Sequence, residues 1–170
     1  MTTLDHPQVQ RAFALWRRLA GALDALQPAA ALAARLYVAQ AFFLSGLTKI
    51  RDWDITLALF TDEYHVPLLP PGVAAVMGTT GELVLPVLLV LGLGGRFAAL
   101  GLSVVNVMAV LSLAEIAPAA FQQHVFWGSL LAGLAIFGPG KWSVERLLVG
   151  TRAHRGPHQF ASRSGVEPMR

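Results

Sequence analysis

Apolar residues fill this chain in four long runs, at 28–48, 72–94, 97–117 and 119–137, separated by shorter polar stretches. Each run is about as long as a helix needs to cross a hydrocarbon layer of about 30 Å. None shows the two-residue alternation of a half-buried strand, and each is apolar on nearly every face, as a helix surrounded by lipid and other helices is. Single charges break two of them: Arg35 interrupts the first and Glu82 the second. The pattern predicts an all-α integral membrane protein, an antiparallel bundle of four transmembrane helices.

The stretches outside the runs have their own patterns. Over residues 5–26, Val9, Phe13, Trp16, Ala20 and Leu23 recur at helical spacing with arginines between them. This predicts an amphipathic N-terminal helix, lying on the membrane surface or docked on the mouth of the bundle. The loop from 49 to 72, "KIRDWDITLALFTDEYHVPLLPPG", is half apolar and carries Trp53, Phe60 and Tyr64, which suits an interfacial half-helix. After the fourth run, Gly138-Pro139-Gly140 ends one helix and Ser143 is placed to cap another. The chain therefore divides into an amphipathic segment at 1–27, a transmembrane domain at 28–148 and a basic, turn-rich tail at 149–170, expected to lack fixed structure.

Composition agrees with the membrane reading. Of the 170 residues 55% are hydrophobic and only 14% charged, where a soluble domain carries about 25% charged residues. The pI near 10.0 reflects arginines gathered toward the two ends, a topology signal rather than a nucleic-acid footprint. Ten basic residues flank the runs on one side: Arg11, Arg17, Arg18, Arg96, Lys141, Arg146, Arg152, Arg155, Arg163 and Arg170. Lys49 and Arg51 stand on the other, among acidic residues. Both termini are expected in the cytoplasm. No basic stretch followed by an apolar core opens the chain, so no cleavable signal is expected. The absence of cysteine excludes disulfides, thiolate metal ligands and iron–sulfur clusters within this chain. No histidine pair has metal or haem spacing, and no phosphate loop or nucleophile–base set is present, so catalysis by the chain alone is not expected.

The charges within the runs are the candidate chemistry. A charge at mid-bilayer costs on the order of 2.5–3.5 kcal/mol, so Arg35 and Glu82 are expected to offset each other as an ion pair between the first two spans. Lys49 lies on the same stripe of the first span as Arg35, and with Ser45 extends a polar seam toward the outer loop. Asn106 and Ser103 on the third span can join it from opposite, with an interhelical hydrogen bond the simplest role for Asn106. Pro86 removes the amide that would bond the Glu82 carbonyl, leaving an acceptor beside the acid. His124 opens the fourth run near Glu115 and is expected in an interfacial pair with it. Arg35, Glu82, Lys49 and Asn106 are the candidates for ligand binding or proton handling; the competing reading makes the ion pair a packing latch.

Three stretches together resemble the DoxX family of small bacterial membrane proteins: "ARLYVAQAFFLSGLTKIRDW" (34–53), "GELVLPVLLVLGLGGRFAALGL" (81–102) and "FGPGKWSVERLL" (137–148). Arg35, Gly46, Lys49, Glu82, Gly92, Arg96, Gly138, Gly140 and Ser143 stand at the places of the family's motifs, and Glu145 where the family usually has aspartate. The resemblance implies a four-helix bundle in the bacterial inner membrane, with founding relatives that are subunits of a thiosulfate:quinone oxidoreductase. It thus implies a subunit or anchor of a redox complex, with a quinone as the cofactor and a membrane or cytoplasmic redox protein as the partner. Two alternatives are a small-solute carrier module working as a homo-oligomer and a membrane scaffold without ligand.

Overall fold

The computed structural model describes residues 7–153, with side chains over 8–148. Among these residues the chain forms six helices and no strand: α1 (Pro7–Arg51), α2 (Trp53–Asp62), α3 (Pro71–Leu91), α4 (Gly95–Leu111), α5 (Pro118–Phe137) and α6 (Val144–Ala153). Residues 1–6 and the tail from 154 onward lie outside the described residues.

The ends of these helices follow from local chemistry. Asp52 caps α2, its Oδ1 accepting from the Ile55 amide at 3.1 Å. Pro71 and Pro118 occupy first turns, where a missing amide loses no helical bond. Gly92, with φ 68°, closes α3 in the left-handed region open to glycine. Ser143 stands before α6 and its hydroxyl accepts from the Arg146 amide at 3.3 Å. The third apolar run overshoots its helix: α4 ends at Leu111, and the carbonyl of Ser112 accepts from the His65 amide at 2.8 Å. Pro118 then holds Ala117 extended, so residues 113–117 are a connection and not a last helical turn.

Where a surface helix followed by a separate span was expected, α1 runs through both without interruption, with Pro28 inside it. Its 45 residues measure about 67 Å, more than twice the hydrocarbon thickness. Leu15, Trp16, Leu19, Leu23 and Leu26 remain exposed, so the N-terminal part of α1 does not dock on the bundle.

The core is shared by four helices. Val38 and Phe42 of α1, Leu89 of α3, Ala98, Ala99 and Leu102 of α4, and Leu131 and Leu134 of α5 form one buried cluster. A smaller cluster of Phe60, Ala74 and Ala75 seats α2 on the start of α3. The outside of the bundle is also apolar, with Leu44, Val76, Val84, Leu100, Val104, Val107 and Val125 exposed. Contiguous exposed apolar surface marks a lipid or protein environment rather than water. Among the described residues two helices, Gln8–Arg51 and Pro71–Leu91, are long and apolar enough to cross a membrane; α4 is apolar but shorter.

Candidate functional site

The charged residues of the helices separate into two groups, one at each end of the bundle. At the end that carries α2, Lys49 Nζ donates to Glu82 Oε2 at 2.5 Å and to Ser45 Oγ at 2.9 Å. Ser45 stands one turn before Lys49, so the two share a face of α1. Gly46 makes the approach to α3 close enough: a Cβ there would lie 2.9 Å from Leu83 Cδ2 and 3.1 Å from Glu82 Cβ. The Thr56 hydroxyl of α2 donates to the Lys49 carbonyl at 2.9 Å, tying α2 to the last turn of α1.

Lys49 and Glu82 border a cavity of about 520 Å³ lined by residues of α1, α2, α3, α4, α5 and the α2–α3 connection. Phe42, Phe60, Val66, Met77 and Met108 supply apolar wall, with Ser45, Tyr64, Ser112, His124 and Trp127 adding polar groups. An apolar chamber of a few hundred cubic ångströms with a few convergent polar groups is the usual form of a small-molecule site. Tyr64 lies between α2 and α3, outside the long helices. Burial pushes its phenol above the ordinary range, with smaller contributions from the Glu63 and Glu82 carboxylates. Trp127 also borders the cavity, and its buried Nε1–H has no hydrogen-bond partner among the described residues.

Arg35 is at the other end and does not meet Glu82. Its side chain is fully buried, donating through Nη1 to the Val90 carbonyl at 3.3 Å and through Nη2 to the Trp142 carbonyl at 2.5 Å. Val90 belongs to the last turn of α3, where carbonyls lack helical partners and the helix dipole favours a cation. Arg35 therefore closes the C-terminal end of α3 and holds the α5–α6 loop against it. Glycines make the room: a Cβ on Gly92 would lie 2.7 Å from Arg35 Nη1 and 2.5 Å from Ser143 Cβ, and one on Gly95 2.6 Å from Pro139 Cβ. Glu145 Oε2 accepts from the Gly95 amide at 3.4 Å, an acid at the N-terminus of α4, and Arg96 donates to the Ile136 carbonyl at 3.3 Å. The structure thus corrects the expected Arg35–Glu82 pair. Gly46 is level with Glu82, and this register brings Lys49, not Arg35, to the acid.

Asn106 makes an interhelical contact, though not with the seam. Its Nδ2 donates to the His124 carbonyl at 3.0 Å, and its Oδ1 faces His124 Nδ1 at 2.8 Å. His124 accordingly pairs with Asn106 and not with Glu115. Ser103 donates to the Ala99 carbonyl within its own helix and does not reach the seam. His124 and Tyr64 are wall residues that sequence reasoning missed. His124 stood close to Glu115 in the chain, which hid its helical alignment with Asn106, and Tyr64 read as an interfacial aromatic.

The DoxX family model matches residues 30–115, half of the chain. The chain belongs to the DoxX family. No curated protein and no solved structure matches it. As a DoxX protein it is a small membrane protein, in keeping with the apolar exterior of its bundle. The matched segment contains both Arg35 and the Lys49–Glu82 pair, while the loop that Arg35 grips, at 138–143, follows it in the chain.

Proposed function

We propose that this DoxX protein is a multi-pass subunit or anchor of a quinone-linked redox complex in the bacterial inner membrane. In this reading α1, α3, α4 and α5 cross the bilayer as an antiparallel four-helix bundle. Both termini are cytoplasmic, the Arg35 end faces the cytoplasm and the cavity opens toward the outer half of the membrane. The distribution of lysine and arginine supports that orientation. The single observation that carries the functional reading is the cavity of about 520 Å³, apolar on most of its wall, with the Lys49–Glu82 pair at one side.

The residues present fit a quinone headgroup. Lys49 and Tyr64 are donors suited to a carbonyl oxygen, Glu82 is an acceptor suited to a hydroxyl, and the aromatic and methionine walls suit a flat ring. A bound quinone would supply the two-electron chemistry that no side chain here provides. The protein's own part is to admit the ring, orient its oxygens and keep a charged pair beside them at little further desolvation. Electrons would have to come from a partner protein.

Gly78 provides a direct test. It lines the cavity, and a Cβ there would meet only Phe60 Cζ at 3.6 Å, so a larger side chain at this position enters the chamber. Calorimetric titration of the full chain in mild detergent with a short-chain benzoquinone should show binding. In Gly78→Leu that binding should weaken at least about tenfold, the loss of a hydrogen-bonded, well-packed fit. Equal affinity in the two proteins would remove the cavity as the site.

A further inference from the structure

The wall formed by His124 differs in kind from the wall formed by Lys49 and Glu82. The Asn106 amide bridges α4 and α5 in one orientation only, because the His124 carbonyl accepts and so requires Asn106 Nδ2. Asn106 Oδ1 is then the atom at 2.8 Å from His124 Nδ1, and that nitrogen must carry the hydrogen. In the neutral imidazole this leaves Nε2 with its lone pair, and no hydrogen bond to it is made among the described residues. The ring borders the large cavity and packs edge-on against Trp127, with centroids 5.1 Å apart. Asn106 lines the smaller neighbouring cavity, which His124 also borders.

We infer that His124 is a ligand-orienting residue with a tautomer fixed by Asn106. It is an acceptor-only pole, and the cavity takes a ligand that offers an O–H or N–H donor there. The Lys49–Glu82 side can both donate and accept, so it tolerates a carbonyl or a hydroxyl. The two poles together favour the reduced, hydroxyl-bearing form of a ring carrier over its dicarbonyl form. This inference rests on the cavity being a quinone site and adds which redox state that site prefers.

The test is calorimetric titration of the full chain in mild detergent at about pH 8, above the ordinary imidazole range. The probes are a short-chain benzoquinol kept reduced without oxygen and the matching benzoquinone. The wild type should bind the quinol roughly three- to tenfold more tightly, the weight of one neutral hydrogen bond. His124→Phe should bind both forms equally while still binding the quinone. Asn106→Leu keeps the ring but frees its tautomer, so it should narrow the preference, and it carries the test if His124→Phe does not fold. Equal affinities in the wild type, or a preference that survives both substitutions, would overturn the role of His124 and leave the cavity reading intact. Failure of the wild type to bind either form would overturn both.

Discussion

The Lys49 ammonium meets the Glu82 carboxylate at 2.5 Å across the contact of α1 with α3, over a glycine that leaves no side chain between the helices. Both partners are largely shielded, and the pair borders an apolar cavity, where removing one charge strands the other. In thermal unfolding in detergent, Lys49→Met and Glu82→Gln should each destabilise the protein. The double variant should recover part of the loss, with a coupling of about 1–3 kcal/mol. Additive losses would mean that the pair contributes nothing beyond its two side chains.

Arg35 should be separable from that site. Lysine cannot reach two carbonyls with a planar fork, so Arg35→Lys should release the Trp142 loop and destabilise the protein by about 1–3 kcal/mol. Trp142 is well exposed, and with Trp16, Trp53 and Trp127 replaced by phenylalanine its fluorescence reports on the loop. Quinone affinity at the other end should stay within about twofold of wild type, as for sites without shared partners.

Gly92 and Gly94 make a matched pair for the same end of the bundle. Both have positive φ, 68° and 54°, but a Cβ at Gly92 would run into Ser143 and Arg35, whereas at Gly94 the nearest atom is Phe97 Cβ at 3.9 Å. Gly94→Ala should cost only backbone strain, about 1–2 kcal/mol. Gly92→Ala should cost visibly more in the same melting experiment, because it also displaces the Arg35 clasp.

Tyr64 gives a pH readout of the cavity. Its phenol is raised by burial first and then by Glu63 and Glu82, so the folded protein holds that proton more tightly than the unfolded chain. The resulting stability is fully present below about pH 10 and is lost as pH rises through the folded value. With Tyr37→Phe, Tyr64 is the one tyrosine left, and its tyrosinate absorbance should appear above the ordinary phenol range. Adding Glu82→Gln should lower the midpoint part of the way, since burial remains.

Helix type and number of long helices were legible in the four apolar runs, because near-continuous hydrophobicity bounded by proline and glycine leaves little choice of element. The second and fourth runs, from 72 and 119, begin within a residue of α3 and α5, and the stop at Gly138 was legible for the same reason. Register was not. Taking residue 48 as level with 72 puts Glu82 opposite residue 38, whereas Gly46 packs on Glu82 and Leu83, a shift of about eight residues or about 12 Å. Close packing at a glycine set the register, and one missing side chain leaves no periodic signal in a run that is apolar all round. The cavity was equally hidden, since its wall draws a few residues from each of several parts of the chain that lie far apart in sequence.

Native mass spectrometry of the full chain, released gently from its own membranes, shows what the protein carries there. A quinone or a redox protein should remain bound to the wild type, and the quinone should be absent from Gly78→Leu. A bare chain, or a homo-oligomer carrying only phospholipid, would contradict the redox reading and leave the Lys49–Glu82 pair as a latch between α1 and α3.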